Sequence, residues 1–255
     1  MRGFAVFLGK EMREIGRTWR IWVLPAIMVF IGISSPVLAK ITPELLSSLT
    51  ASDQTGVVIQ IPDPVTRDAY LQFSKNAIQM ALIAVIIAVA GMIAAEKRSG
   101  TAVLVLTKPV SRTGMVVAKV ISNWALLAGA TAAGAVLCVG VTAVIFDTTL
   151  VPEFATATLL WLVLSGMFVA CMALLSTVIG SQGGAAGAGI GLYLAVSILS
   201  AWGPGRDYTP AGLLSAGDRI LAGETPELLW PVLSAVVVSA AAVAVASWVF
   251  ERQEL

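Results

Sequence analysis

The chain contains no histidine in 255 residues. That absence removes most metal sites and every mechanism that relies on an imidazole base. Charge is scarce too: 12% of residues are Asp, Glu, Lys or Arg, against about 25% in an ordinary soluble domain. The two cysteines, Cys138 and Cys171, both fall inside apolar runs. They read as small, reduced, unpaired packing residues, so they carry no information on redox compartment. No G-x-x-x-x-G-K-[ST] string occurs, which leaves the chain without a phosphate-binding loop of that type. The centres of its long apolar stretches hold essentially no charged residue. An ion-coupled carrier needs an ionisable group at that depth, and an intramembrane aspartyl protease needs two buried acids. Ser165, Ser176, Thr177 and Ser197 offer hydroxyls, but in a membrane helix such a group ordinarily bonds to a carbonyl one turn back. No catalytic residue, bound cofactor, metal site or nucleic-acid partner is expected, and the chain is not read as an enzyme.

What is present is apolar. Hydrophobic residues make up 58% of the chain and the mean hydropathy is +0.90, values that fit only a helical membrane protein. The expected fold is all-α: one transmembrane domain over residues 1–255, with six spans at about 19–39, 76–95, 115–146, 154–179, 185–201 and 229–250. Pro25 and Pro36 lie in the first span, where proline is tolerated with a kink. Residues 2–18 read as a helix on the membrane surface, with Phe4, Leu8, Met12, Ile15 and Trp19 on one side. An ordinary juxtamembrane basic segment is the other reading. The region is too charged for a cleavable signal peptide. Lys40 to Lys75 forms the longest polar segment, and its end, DPVTRDAYLQFSKN, has the spacing of a helix leading into the second span. A glycine-rich link, GSQGGAAGAG, precedes the fifth span. Gly183, Gly187 and Gly191 stand four apart there, a row that lets helices approach closely, either between subunits or within one.

Six spans put both termini on one side. That side would carry eleven Lys and Arg, against Lys40, Arg67, Lys75, Arg206 and Arg219 on the other. The excess of positive charge marks the cytoplasm, so the expectation is a multi-pass protein of the cytoplasmic membrane with both termini inside.

One cytoplasmic stretch stands apart. Glu96 to Arg112, EKRSGTAVLVLTKPVSR, combines charge with an apolar centre too short to cross a bilayer, which takes about 20 helical residues. It is read as a docking element for a cytoplasmic partner, the plainer alternative being a solvated basic loop that sets topology. If transport is active, ATP hydrolysis must come from a separate chain pushing here.

A six-span layout with E-K-R-S-G-T-x-x-x-L-x-x-K-P-V-S-R after the second span resembles the ABC-2 family of ATP-binding-cassette transporter permeases, in particular small prokaryotic exporter subunits. The likeness covers the whole chain in layout and is sharpest from Asp68 to Lys119. It implies two permease subunits, identical or related, assembled with two ATPase subunits that bind ATP and Mg, in contact with membrane lipid. It implies that the stretch between spans two and three carries a coupling helix. Glu96, Gly100, Thr101, Lys108, Pro109 and Arg112 match the motif. On that mapping Gly100 turns the chain out of span two and Thr101 caps the short helix. Val103, Leu104 and Leu106 enter a groove on the ATPase, and Pro109 ends the helix. Arg112 pairs with Glu96 or with headgroup phosphates. The likeness also implies an N-terminal surface helix, and a last external segment, Trp202 to Leu228, that folds partly back into the membrane. The implied activity is ATP-driven export of an apolar or amphipathic substrate such as a lipid, a hydrophobic peptide or an antibiotic. The alternative is a non-transporting scaffold or immunity protein that holds a cytoplasmic partner.

Overall fold

The computed structural model describes residues 2–51, 62–99, 111–148 and 150–253. Regular structure among them is helical throughout. The helices are α1 (Arg2–Ile15), α2 (Arg20–Ala51), α3 (Thr66–Asn76), α4 (Leu82–Val89), α5 (Ala94–Arg98), α6 (Arg112–Phe146), α7 (Val151–Ile179), α8 (Gln182–Ser200), α9 (Gly203–Tyr208), α10 (Leu213–Leu221) and α11 (Leu229–Arg252). Six segments are long and apolar enough to cross a membrane: Arg20–Leu45, Thr66–Arg98, Arg112–Phe146, Val151–Ile179, Gln182–Ser200 and Leu229–Arg252. The expected all-α, six-span architecture is what the chain adopts.

The ends of the spans differ from those expected. α2 runs on to Ala51 with Pro25, Pro36 and Pro43 inside it, so the residues after Lys40 begin as helix. The second span absorbs DAYLQFSKN as its first turns, continues through a π-helical turn at Ala77–Ala81 and reaches Arg98. The glycine link shrinks to two residues. Gly180 ends α7 at φ +68°, a conformation that suits glycine, and Ser181 caps α8 by accepting the Gly184 N–H at 3.2 Å. The remaining glycines are helical.

Packing follows from where side chains are small. Spans one and three cross with backbones in contact, because a Cβ at Gly32 would strike the Gly134 carbonyl and one at Gly134 would strike the Met28 carbonyl group. Gly189 in span five admits Ile86 and Met172, which would lie 2.7 Å or less from any Cβ there. Gly183, Gly187 and Gly191 make no such approach: a Cβ at each meets no atom of the described residues within 4 Å. The row of glycines therefore faces outward, and close packing within the chain uses glycines that belong to no row.

At the end of the bundle opposite the termini, Tyr70 stacks on Phe154 with centroids 4.3 Å apart, and Phe73 meets the same ring edge-on at 5.1 Å. The segment between spans five and six forms α9, a turn and α10. α10 buries Leu213, Leu214, Ala216 and Leu221, and its Gly217 lies against Ala157 of span four and Ser74 of span two.

Candidate functional site

The termini-bearing end collects the charge. Of the residues assigned to coupling, Glu96 and Arg112 lie within the described structure. Gly100, Thr101, Val103, Leu104, Leu106, Lys108 and Pro109 lie outside the described residues. Both flanks of that stretch are defined, and their anchoring is the main feature of this end.

Span two is interrupted before the stretch begins. The helix stops after Val89 and resumes at Ala94, which strands two amide groups inside the protein. Ser176 of span four, fully buried, takes both: its Oγ accepts the N–H of Ile93 at 3.1 Å and of Ala94 at 3.0 Å. Thr177 and Ser197 bond back to Ala173 and Tyr193 carbonyls, and Ser165 to Leu162. These three follow the expected habit of membrane-helix hydroxyls, whereas Ser176 caps a broken helix.

One turn later, Glu96 accepts from Lys119, with Nζ to Oε1 at 2.5 Å. Lys119 lies two turns inside span three, and its ammonium also bonds Glu11 Oε2 at 2.9 Å. The side chains of Lys119 and Glu11 are each 5% exposed. Lys10 bridges Glu11 at 3.0 Å and Glu14 at 2.5 Å. Partial burial pulls the Lys10 pKa down, but the Glu14 and Glu11 carboxylates outweigh it and hold it above its ordinary value. For Glu14 burial pushes up, while the hydrogen bond from Lys10 prevails and lowers it. Both groups stay charged at neutral pH. Carboxylate oxygens of Glu11, Glu14 and Glu96 lie within 4.8 Å of one another. Ammonium groups already engage all three acids, so the set is an ion-pair lattice and not a metal centre.

This lattice explains how α1 sits. Of the apolar side expected to meet the membrane, Met12 (46%) and Trp19 are exposed in the chain, while Ile15 is buried and Phe4 and Leu8 pack against the core. The face turned to the bundle is Phe7, Glu11 and Ile15. The helix is rotated so that a carboxylate, not a thioether, meets Lys119. Pairing a buried ammonium outweighs burying one methionine.

Arg112 does not pair with Glu96, which Lys119 occupies. Its Nη1 donates to the carbonyls of Phe250 at 2.9 Å, Glu251 at 3.2 Å and Gln253 at 2.7 Å, satisfying acceptors that the end of α11 leaves open. Its positive charge also suits a helix C-terminus. Beside it Thr113 donates to Glu251 at 2.7 Å, and Ser111 caps α6 by accepting the Gly114 N–H at 3.0 Å. From the other flank Lys97 reaches the Thr177 carbonyl at 3.1 Å and Gln253 Oε1 at 2.5 Å. Arg112→Ala is expected to lower stability by about 1–2 kcal/mol and to speed amide exchange in the last turn of α11. Arg112→Lys should recover only part of that, since one ammonium replaces a planar fork. Exchange mass spectrometry of the two variants measures both effects.

In the sequence Lys119 is one of the eleven basic residues of the termini-bearing side, and nothing there pairs it with Glu11. A lysine seven residues into a long apolar helix was the available clue, because burial there demands an acid from elsewhere. Which acid it is depends on how α1 crosses span three.

An all-helical bundle of six spans, with a buried ion-pair lattice at its termini-bearing end, defines a polytopic membrane protein. Residues 5–203 match the family model described as ABC-2 family transporter protein, and the chain belongs to that family. It is also similar to the uncharacterized transmembrane protein YxlG of Bacillus subtilis (strain 168), with 24% identity over 257 residues, spanning 100% of this chain and 99% of that one. The family is a membrane component of ABC transporters, and this chain is a permease component of that kind.

Proposed function

We propose that the chain is the permease subunit of an ATP-driven exporter of the cytoplasmic membrane, powered by a separate ATPase subunit docked on residues 96–112. Two such ATPases bind ATP and Mg and work on a pair of permeases. The observation that carries this reading is the anchoring of both flanks. Glu96 is tied to α1 and span three, Lys97 to the end of span four, and Arg112 to the end of span six. A push on the intervening residues therefore reaches spans two, three, four and six together. Val103, Leu104 and Leu106 supply the apolar contact to the ATPase. Gly100, Thr101, Lys108 and Pro109 shape the turn that presents them. The outward row Gly183, Gly187 and Gly191 is where a second permease copy would pack. The absence of ionisable groups from the span centres favours an apolar or amphipathic cargo: a lipid, a hydrophobic peptide or an antibiotic. The excess of positive charge at the termini-bearing end supports a cytoplasmic position for it.

The test is co-purification from detergent with an ATPase subunit, followed by ATP-dependent transport in proteoliposomes. Leu104→Asp with Leu106→Asp is expected to reduce transport at least about tenfold, the size of effect seen when apolar anchors of a helix-in-groove contact are replaced by charge. Unimpaired transport in that variant, or a wild-type chain that never retains an ATPase, overturns the proposal. Partner binding without nucleotide-dependent transport would support a scaffold instead.

A further inference from the structure

Lys119 joins α1, the end of span two and the start of span three through charge. Its ammonium lies between Glu11 of α1 and Glu96 at the end of span two, and its own helix is span three. The surroundings are balanced: Glu11, Glu14 and Glu96 face Lys10, Lys119 and Arg20, the last reaching Asn123 Oδ1 at 3.5 Å. Asn123 in turn donates to the Lys119 carbonyl at 2.8 Å. Little water reaches the centre of this arrangement, since Lys119, Glu11 and Asn123 are all buried.

A buried ion pair resists separation more than it favours folding, because removing one partner leaves the other charge without compensation. The consequence here is directional. If α1 moved away alone, Lys119 would keep one carboxylate and Glu11 would lose the buried ammonium, keeping only the half-exposed Lys10. If the residues around Glu96 moved away alone, Lys119 would keep Glu11 and lose its other carboxylate. Motion in which all three elements travel together keeps both ion pairs. The apolar hold on α1 is modest by comparison, since Phe7 and Ile15 are its only buried hydrophobic residues among those described.

We infer that Lys119 is a positioning residue that makes α1, the end of span two and the start of span three one mechanical body, so that the N-terminal helix is a second arm of the site at residues 96–112. The junction itself is independent of the functional reading above. Only the source of the force on it, a docked ATPase, rests on that reading.

The experiment is amide exchange of the full-length protein in lipid nanodiscs of phosphatidylethanolamine and phosphatidylglycerol. Lys119→Met is expected to speed exchange on the order of 100-fold in residues 2–15 and 94–99 alike, as the loss of a buried pair predicts. Lys119→Arg, which can still donate to both acids, should stay within about threefold of wild type. Glu11→Gln leaves the Lys119–Glu96 pair intact, so it should release α1 and not residues 94–99. Acceleration of only one element in Lys119→Met, or no rescue by Arg, overturns the inference. Should Lys119→Met loosen the whole bundle, Glu11→Gln decides: an unchanged α1 overturns the inference, and an α1 freed by itself upholds it. In a complex with an ATPase, Lys119→Met should keep ATP hydrolysis and lose transport, with Lys119→Arg restoring it. If no ATPase binds the wild-type chain, the functional reading fails while the exchange result still stands.

Discussion

Gly134→Leu is expected to abolish the assembled bundle. The Cβ it introduces would strike the Met28 carbonyl oxygen and lie 2.8 Å from the carbonyl carbon. Both obstacles are backbone, which cannot rotate aside as a side chain does. Spans one and three would have to part along a seam that buries Met28, Ile31, Leu127 and Ala130. Overpacking a core costs about 1–3 kcal/mol when side chains can adjust. With rigid backbone on both sides the cost should exceed that range, and the variant should aggregate or be degraded instead of melting at a lower temperature. Size-exclusion profile and folded yield in detergent measure it. Gly129→Ala is the control on the same helix, because a Cβ there meets nothing within 4 Å. Alanine is favoured over glycine in a helix by about 1 kcal/mol, so that variant should hold or gain stability. Equal behaviour of the two variants would contradict the crossing described here.

Ser176→Ala should produce the second largest loss. The change removes one heavy atom, the oxygen that accepts two N–H groups at the break in span two. Each buried amide left unpaired costs about 1–3 kcal/mol, giving a combined loss of about 2–6 kcal/mol unless the break rearranges. Ser165→Ala is the matched comparison. Its hydroxyl is equally buried, but it donates to the Leu162 carbonyl of its own helix, an acceptor that the backbone ladder already serves, so its loss should cost under about 1 kcal/mol. Thermal unfolding gives the stability difference, and amide exchange at residues 93–99 locates it. The site also bears on function, because the break sets the direction in which the chain leaves span two towards residues 96–112. Identical melting of the two variants would show that the Ile93 and Ala94 amides do not depend on Ser176.

Pattern alone carried the bundle and the end at which its charge collects. Six apolar runs, a basic excess between spans two and three and an amphipathic N-terminus are statements about which residues water or lipid will accept, and solvation acts on each residue nearly independently of the rest of the fold. The same logic gave the hydroxyls of Thr177 and Ser197 their partners within their own helices, since an i−4 carbonyl is fixed by helix geometry. It left Arg112 open between Glu96 and headgroup phosphates, and the carbonyls at the end of α11 take its guanidinium. Nor could it say which face of α1 meets the bundle, because that depends on Lys119.

What the sequence by itself determined, then, is partition: which segments enter lipid, which stay out, and that the chain contains no P-loop and no buried ionisable group at the span centres. What only the tertiary structure decided is pairing. Gly32 meets Gly134 while the regular row at Gly183, Gly187 and Gly191 meets nothing among the described residues, and one buried lysine takes acids from positions 11 and 96. The reason is physical: transfer free energy is summed over single residues and can be read along a line, whereas a contact depends on the relative placement of two helices, which no single segment encodes.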